Sequence, residues 1–232
     1  AEYQKTVNQD FVNKQRLSAP GDWSKLQAGD IKFIDINGDG IVNNGKNTVD
    51  DHGDLVKLGN KQPRYTYGAN LGANWNGFDL SAFIQGIGKQ NWYPGNNSDK
   101  FWGPYSRPYY SFIPEDFPDK VWSEENPDAY FPKLRGYVAL NGGGELNVIN
   151  DKYLQDLAYV RLKNLTIGYS LPANLLSRAK ITRCRIYVSG DNIFTSTKLE
   201  TDYIDPEQAA AEVNGRVYPI SKIFSFGLDL SF

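Results

Sequence analysis

The sequence predicts an all-β fold whose antiparallel strands belong to a large transmembrane β-barrel with long outer loops. Three observations predict it. Five segments alternate apolar and polar residues over lengths that suit a tilted membrane-crossing strand of about 9–11 residues. The connections between them are long and short in strict turn. The last segment keeps its two-faced pattern up to Phe232.

In that last segment Ile220, Phe224, Phe226, Leu228, Leu230 and Phe232 share one side. Ser221, Ser225, Gly227, Asp229 and Ser231 share the other, with Lys222 and Ile223 as exceptions. A greasy strand edge left open to water aggregates, so this strand is expected either in a core or in a closed barrel. Composition does not oppose the barrel. Charged residues make up 22% of the 232, as half of every barrel strand and all loops face water. No apolar run is long enough for a transmembrane helix. A net charge of −2, without a basic block, argues against a nucleic-acid partner. Cys184 has no second cysteine to pair with and reads as structural filler. Ala1-Glu-Tyr-Gln lacks the basic and apolar regions of a secretory leader, which is expected to be absent or already removed.

Residues 1–63 have loop composition and are expected outside the membrane. Within them, Asp35, Asn37 and Asp39 stand at positions 1, 3 and 5 of a calcium loop. Gly40 supplies the sharp turn, the Ile41 carbonyl follows at position 7, and Asn43 occupies position 9. Position 12 is Lys46, so the closing carboxylate falls to Asp50, Asp51 or Asp54, with Asp50 the first in line. The same residues also suit an Asx-rich turn held by side-chain to backbone bonds, and the spacing leaves both readings open. No organic cofactor is expected.

Residues 65–87 read as a hairpin. Tyr65, Tyr67, Ala69, Leu71, Ala73 and Trp75 alternate with polar and glycine residues. Asn76-Gly77 makes the tight turn, and Phe78, Leu80, Ala82 and Ile84 return, with Phe83 out of pattern. Trp75 and Phe78 flank the turn, as aromatics do at a membrane interface.

Residues 88–154 form a second long outer loop rich in aromatics and proline. Trp92, Tyr93, Trp102, Tyr105 and Tyr109 are candidates for stacking on a substrate or partner. The alternative, which the size of the loop favours, is that they build its own small core. A strand pair is expected over 156–194, joined by a short connection at 172–179, with the second strand from Lys180 to Phe194. Residues 195–218 include a possible helix over 206–213, and 219–232 form the terminal strand. Placing the short turns in the periplasm puts residue 1 outside and residue 232 in the periplasm. Five strands cannot close a bacterial barrel, so further strands are required.

Five stretches now carry a resemblance: Gly29-Asp-Ile-Lys-Phe-Ile-Asp-Ile-Asn-Gly-Asp-Gly40, Pro63-Arg-Tyr-Thr-Tyr-Gly68, Gly77-Phe-Asp-Leu-Ser-Ala-Phe-Ile-Gln-Gly86, Tyr159-Val-Arg-Leu-Lys-Asn-Leu-Thr-Ile-Gly-Tyr169, and Tyr218 to Phe232. In this order they resemble the C-terminal part of SusC/RagA-type TonB-dependent outer-membrane transporters. The resemblance implies a plugged barrel in the outer membrane of a Gram-negative bacterium that imports glycan or peptide fragments. It implies as partners the N-terminal barrel and plug portion, a SusD-like surface lipoprotein, the TonB complex and outer-membrane lipid. The plug and the TonB-binding segment have no counterpart in these residues.

A secreted β-sandwich that binds carbohydrate through its aromatic loop would also show alternation. It would not require the loop rhythm or the aromatic terminal strand. Catalysis is not expected, because His52 and Cys184 have no evident catalytic partners and the acids show no paired spacing.

Overall fold

Five strands alternate sharply enough in sequence that their faces can be followed residue by residue in space. The structure, a computed structural model, describes residues 28–106, 113–134, 140, 145–210, 217–218 and 220–232. The strands are β1 (Thr66–Trp75), β2 (Phe78–Ile87), the short β3 (Asn91–Trp92) and β4 (Gln155–Asp156), β5 (Tyr159–Ser170), β6 (Arg183–Thr197) and β7 (Ile223–Ser231). One sheet has the order β1-β2-β5-β6-β7, antiparallel throughout, and β3 pairs with β4 in a second. The chain divides into two compact units. One holds both sheets, with residues 60–92, 155–210 and 217–232; the other holds 1–59, 93–154 and 211–216.

The β1–β2 turn follows from its two residues. Asn76 and Gly77 both have positive φ, 48° and 85°, as a type I′ turn demands, and a side chain at Gly77 would lie 2.9 Å from the Ser170 carbonyl. Between β5 and β6 the chain makes a helical turn at Ala173–Leu176 and leaves it through Lys180 in the left-handed region. β6 therefore starts three residues later than its pattern suggests and runs to Thr197. β7 starts at Ile223, the second of the two pattern exceptions. Residues 206–210 form turns rather than the start of a helix, and 211–213 of that expectation lie outside the described residues.

Register places the apolar residues in rows. Ala73, Leu80, Ile167, Val188 and Phe226 are successive partners across all five strands, and Trp75, Phe78, Tyr169, Ile186 and Leu228 make the next row. The Phe78 and Tyr169 rings lie 4.6 Å apart. This face is largely exposed: Leu71, Leu80, Val188, Phe224, Phe226 and Leu228 are each open to their surroundings, Phe226 by 73%.

The opposite face is polar and is held by charge. The Arg185 guanidinium reaches across β5 to Asp79, with Nε to Oδ1 at 2.9 Å and Nη2 to Oδ2 at 2.6 Å, and its Nη1 meets Asp229 on β7 at 3.2 Å. The path crosses Gly168, where a Cβ would stand 2.5 Å from Asp79 Oδ1 and 2.6 Å from Arg185 Nε. Gly227 likewise leaves room for the Tyr187 ring. Phe83, out of pattern in sequence, faces this side and covers Gly68 at ordinary contact distance.

Gly168→Ala is expected to push the Arg185–Asp79 pair apart and to cost about 1–3 kcal/mol, as overpacking does. In an Arg185→Ala background the same change should be close to neutral. Unfolding of the detergent-solubilised full-length protein across this double-mutant cycle checks the coupling, and additive costs would contradict it.

Candidate functional site

The 35–54 loop is built by short side chains that bond to their own backbone. Asp35 accepts from the Gly38 and Gly40 amides at 2.7 Å each, Asn37 Oδ1 accepts from Asp39 at 2.9 Å, and Asp39 Oδ1 accepts from Ile41 at 2.8 Å. Gly38 and Gly40, with φ of 77° and 82°, let the chain turn this tightly. The structure brings Asp54, of the three candidate closing acids, onto the loop. Its carboxylate accepts from Ile36 and Asn43 at 2.7 Å each, and the Asp54 amide donates to the Asn43 carbonyl. Asp51 instead faces Thr48 and Lys46. No bond to the loop is shown for Asp50.

The donors offered are all oxygens, the chemistry calcium takes. As placed, however, the carboxylates are turned to backbone amides, the arrangement of an Asx-rich turn. Among the described residues no three acidic, imidazole or thiol groups converge. Desolvation opposes the charge on Asp54, but the amides of Asn43, Ile36 and Asn37 together outweigh it and hold the carboxyl below the usual range.

The aromatic candidates are mostly interior, which corrects any role for them as an open stacking platform. Trp102 and Tyr105 are fully buried and Trp92 nearly so. Trp102 packs on Phe101, Phe131 and Tyr153, and its indole Nε1 donates to the Pro94 carbonyl at 3.0 Å. Tyr105 donates to the Pro132 carbonyl and sits against Phe117 and Phe131. Tyr93, half-buried, donates to the Leu146 carbonyl at 2.8 Å, and burial pushes its phenol well above the ordinary range. Tyr109 lies outside the described residues. A large loop with only short helical turns must bury its own apolar surface, and Trp102 and Tyr105 do so. The same unit encloses a cavity of about 580 Å³ whose lining includes Phe33, Leu55, Trp122, Phe131 and Val148.

The polar face of the main sheet carries the groups that sequence reading missed. Arg161, on β5, is 1% exposed and bonds Thr195, Asp205 and Glu207. Lys163 also bonds Glu207. The signal was present in Tyr159-Val-Arg-Leu-Lys-Asn, three polar residues in a strand otherwise bound for one apolar face, but the acids that Arg161 and Lys163 meet are more than forty positions away.

One face apolar and exposed, the other polar and cross-linked by charge, is how a barrel wall is made. Comparison with known proteins agrees. Two TonB-dependent receptors of Formosa agariphila, P26 and P3, are 24% and 25% identical over 96% and 86% of this chain. Two solved structures of the RagAB peptide importer superpose on 73% and 74% of it, at 28% and 26% identity and TM-scores of 0.53 and 0.51. Over most of its length the chain is thus similar to TonB-dependent receptors and to the RagAB transporter. The chain spans about a fifth of the length of those curated relatives, 21% and 19%, and 17% of the solved transporter chains. No protein-family model matches it.

The lowered Asp54 pKa favours the carboxylate form in the folded loop. The carboxylate stabilises the loop above its unfolded pKa of about 3.9, and that contribution is lost as pH falls through the lower folded value. Relative to the intrinsic rate at each pH, amide exchange at Ile36 and Asn43 should therefore stay slow at neutral pH and lose its protection only in strong acid. In Asp54→Asn it should already be fast at pH 7, and unchanged protection there would remove Asp54 as the closing group.

Proposed function

We propose that this chain is the C-terminal part of an outer-membrane importer, energised through TonB and working with a SusD-like surface lipoprotein. Its cargo would be fragments of peptide or glycan, with peptide favoured because the solved relatives are described as peptide importers. The observation that carries the reading is the exposed apolar face running unbroken across β1, β2, β5, β6 and β7. A soluble sandwich would cover such a face with a second sheet, and among the described residues the other sheet is the two-stranded β3–β4. Lipid is the solvent that suits it, and the outer edges of β1 and β7 would pair with strands of the remaining barrel, which also supplies the plug. In this arrangement residue 1 lies outside and residue 232 in the periplasm.

Deleting the full-length gene should abolish growth on the imported fragments, with complementation restoring it. Loss on peptides alone, on oligosaccharides alone or on neither decides between the cargoes and against both. Within the wall, Val188→Arg sits mid-strand on the lipid side and should cost about 2–4 kcal/mol of barrel stability. Ser189→Arg, one residue on and facing the polar side, should cost far less. Equal tolerance of the two would reject the lipid-facing assignment.

Calcium belongs to the proposal as a structural ion at Asp35, Asn37, Asp39, Ile41 and Asn43, closed by Asp54. Its binding should raise the melting temperature of the parent protein and not that of an Asp35→Ala, Asp39→Ala double variant. No calcium-dependent rise in the parent leaves the Asx-rich turn alone.

A further inference from the structure

Arg161 is a cation buried on the polar face, and the two acids that pair with it come from a segment outside the strands. Its Nη2 lies 2.5 Å from Asp205 Oδ2, its Nη1 2.6 Å from Glu207 Oε2, and its Nε 2.9 Å from Thr195 Oγ1. Lys163 Nζ adds two contacts to Glu207, at 2.8 and 3.0 Å. Charge-assisted bonds of this kind are the strong ones, and a guanidinium removed from water cannot lose them cheaply.

The segment that supplies the acids is itself prepared. Asp205-Pro206-Glu207 forms a turn in which Asp205 Oδ1 accepts from the Glu207 amide at 2.9 Å, and the Gln208 amide donates to the Asp205 carbonyl at 3.0 Å. Proline fixes φ in its middle. Ile204 before the turn and Ala209 after it are buried. Near its start the segment is tied again: Lys198 donates its amide to the Ala158 carbonyl, and Glu200 to the Gln155 side chain at 3.2 Å.

The strand is shaped to receive it. The registers β2–β5 and β5–β6 both shift at Lys163: Ile84 and Phe83 face Leu162 and Asn164, and Phe194 and Asp191 face the same two residues. The bulge keeps Leu162 and Leu165 on the apolar side while Arg161, Lys163 and Asn164 serve the polar one, the kind of re-aiming that bulges perform. Asn192, opposite, takes the left-handed conformation that the irregularity needs.

We infer that residues 199–210 are a fixed strap on the polar face, part of the wall that a transported solute meets, and that Arg161 is the positioning residue that pins it. The inference rests on the barrel reading of that face. A loop held only by exposed contacts would open freely; this one is locked by a buried cation and two acids on a rigid turn.

The test uses the full-length transporter in outer-membrane vesicles, in a Cys184→Ser background. Ala209→Cys reports the strap and the exposed Asp202→Cys serves as control, with a charged methanethiosulfonate as the probe. In the parent the Ala209→Cys thiol should react on the order of 100-fold more slowly than the control, because reaction waits on local opening. Arg161→Met should raise its rate at least about tenfold, as should Asp205→Asn with Glu207→Gln, which leaves the strands untouched in case Arg161→Met does not insert. Arg161→Lys should fall between, since an ammonium cannot hold Thr195 and both acids together. Each protein is first checked for the heat-dependent gel shift of an inserted barrel. Inserted variants in which the thiol stays as slow as in the parent overturn the strap inference. A parent that is soluble and shows no such shift overturns the barrel reading itself.

Discussion

In hydrocarbon a peptide group has no water to bond, and an unpaired one costs several kcal/mol. That constraint orders this chain. It favours the continuous sheet β1-β2-β5-β6-β7, whose register, outside the bulge at Lys163, fixes the side of each side chain, because strand partners share a face. With the apolar residues gathered on one face, the cross-strand bonds that stiffen the sheet lie on the other. There the Asp79–Arg185–Asp229 link ties β2 to β6 and β7, and Gly168 leaves the space beneath it.

The long loops solve a different problem with other means. Among their described residues no long ladder forms, and they hold themselves by burying aromatic rings and by turning short polar side chains back on the backbone. Trp102, Phe131 and Tyr153 stand in for a sheet in residues 93–154, and Asp35, Asn37, Asp39 and Asp54 do the same for the loop before β1. Both devices consume the groups that make a sequence look like a binding site. Rings and carboxylates that could grip a ligand are here engaged with their own chain.

This explains which parts of the molecule were legible in the sequence. The strands were, since a period of two is local and Asn76-Gly77 names its own turn. Strand ends were less so: the left-handed Lys180 delays β6, and nothing in the alternation marks where a turn yields to a ladder. The aromatic candidates were legible as residues, and the size of their loop favoured a core, but which rings meet depends on partners tens of residues away. Asp50 and Asp54 were equivalent on spacing, and only the fold of the intervening turn selects Asp54 for contact with the loop. Arg161 was passed over because a charge in a barrel strand is ordinary, whereas its burial depends on a turn that arrives from position 205.

The bulge at Lys163 joins these threads. A perfect ladder would alternate Leu162, Lys163, Asn164 and Leu165 so that one leucine faced water and Asn164 faced lipid. Inserting one residue lets both leucines stay in the apolar row and frees Arg161, Lys163 and Asn164 together for the polar side, where Asn164 meets Asp191 at 2.8 Å and the other two receive the 205–207 turn. The irregularity thus reconciles two demands that regular pleating cannot meet at once: apolar cover without a gap, and a cluster of donors dense enough to bind acids out of water. Such a cluster would be costly if its acids were mobile, because each excursion would leave a buried guanidinium unpaired. The proline turn and the buried flanks at Ile204 and Ala209 are what keep those excursions rare.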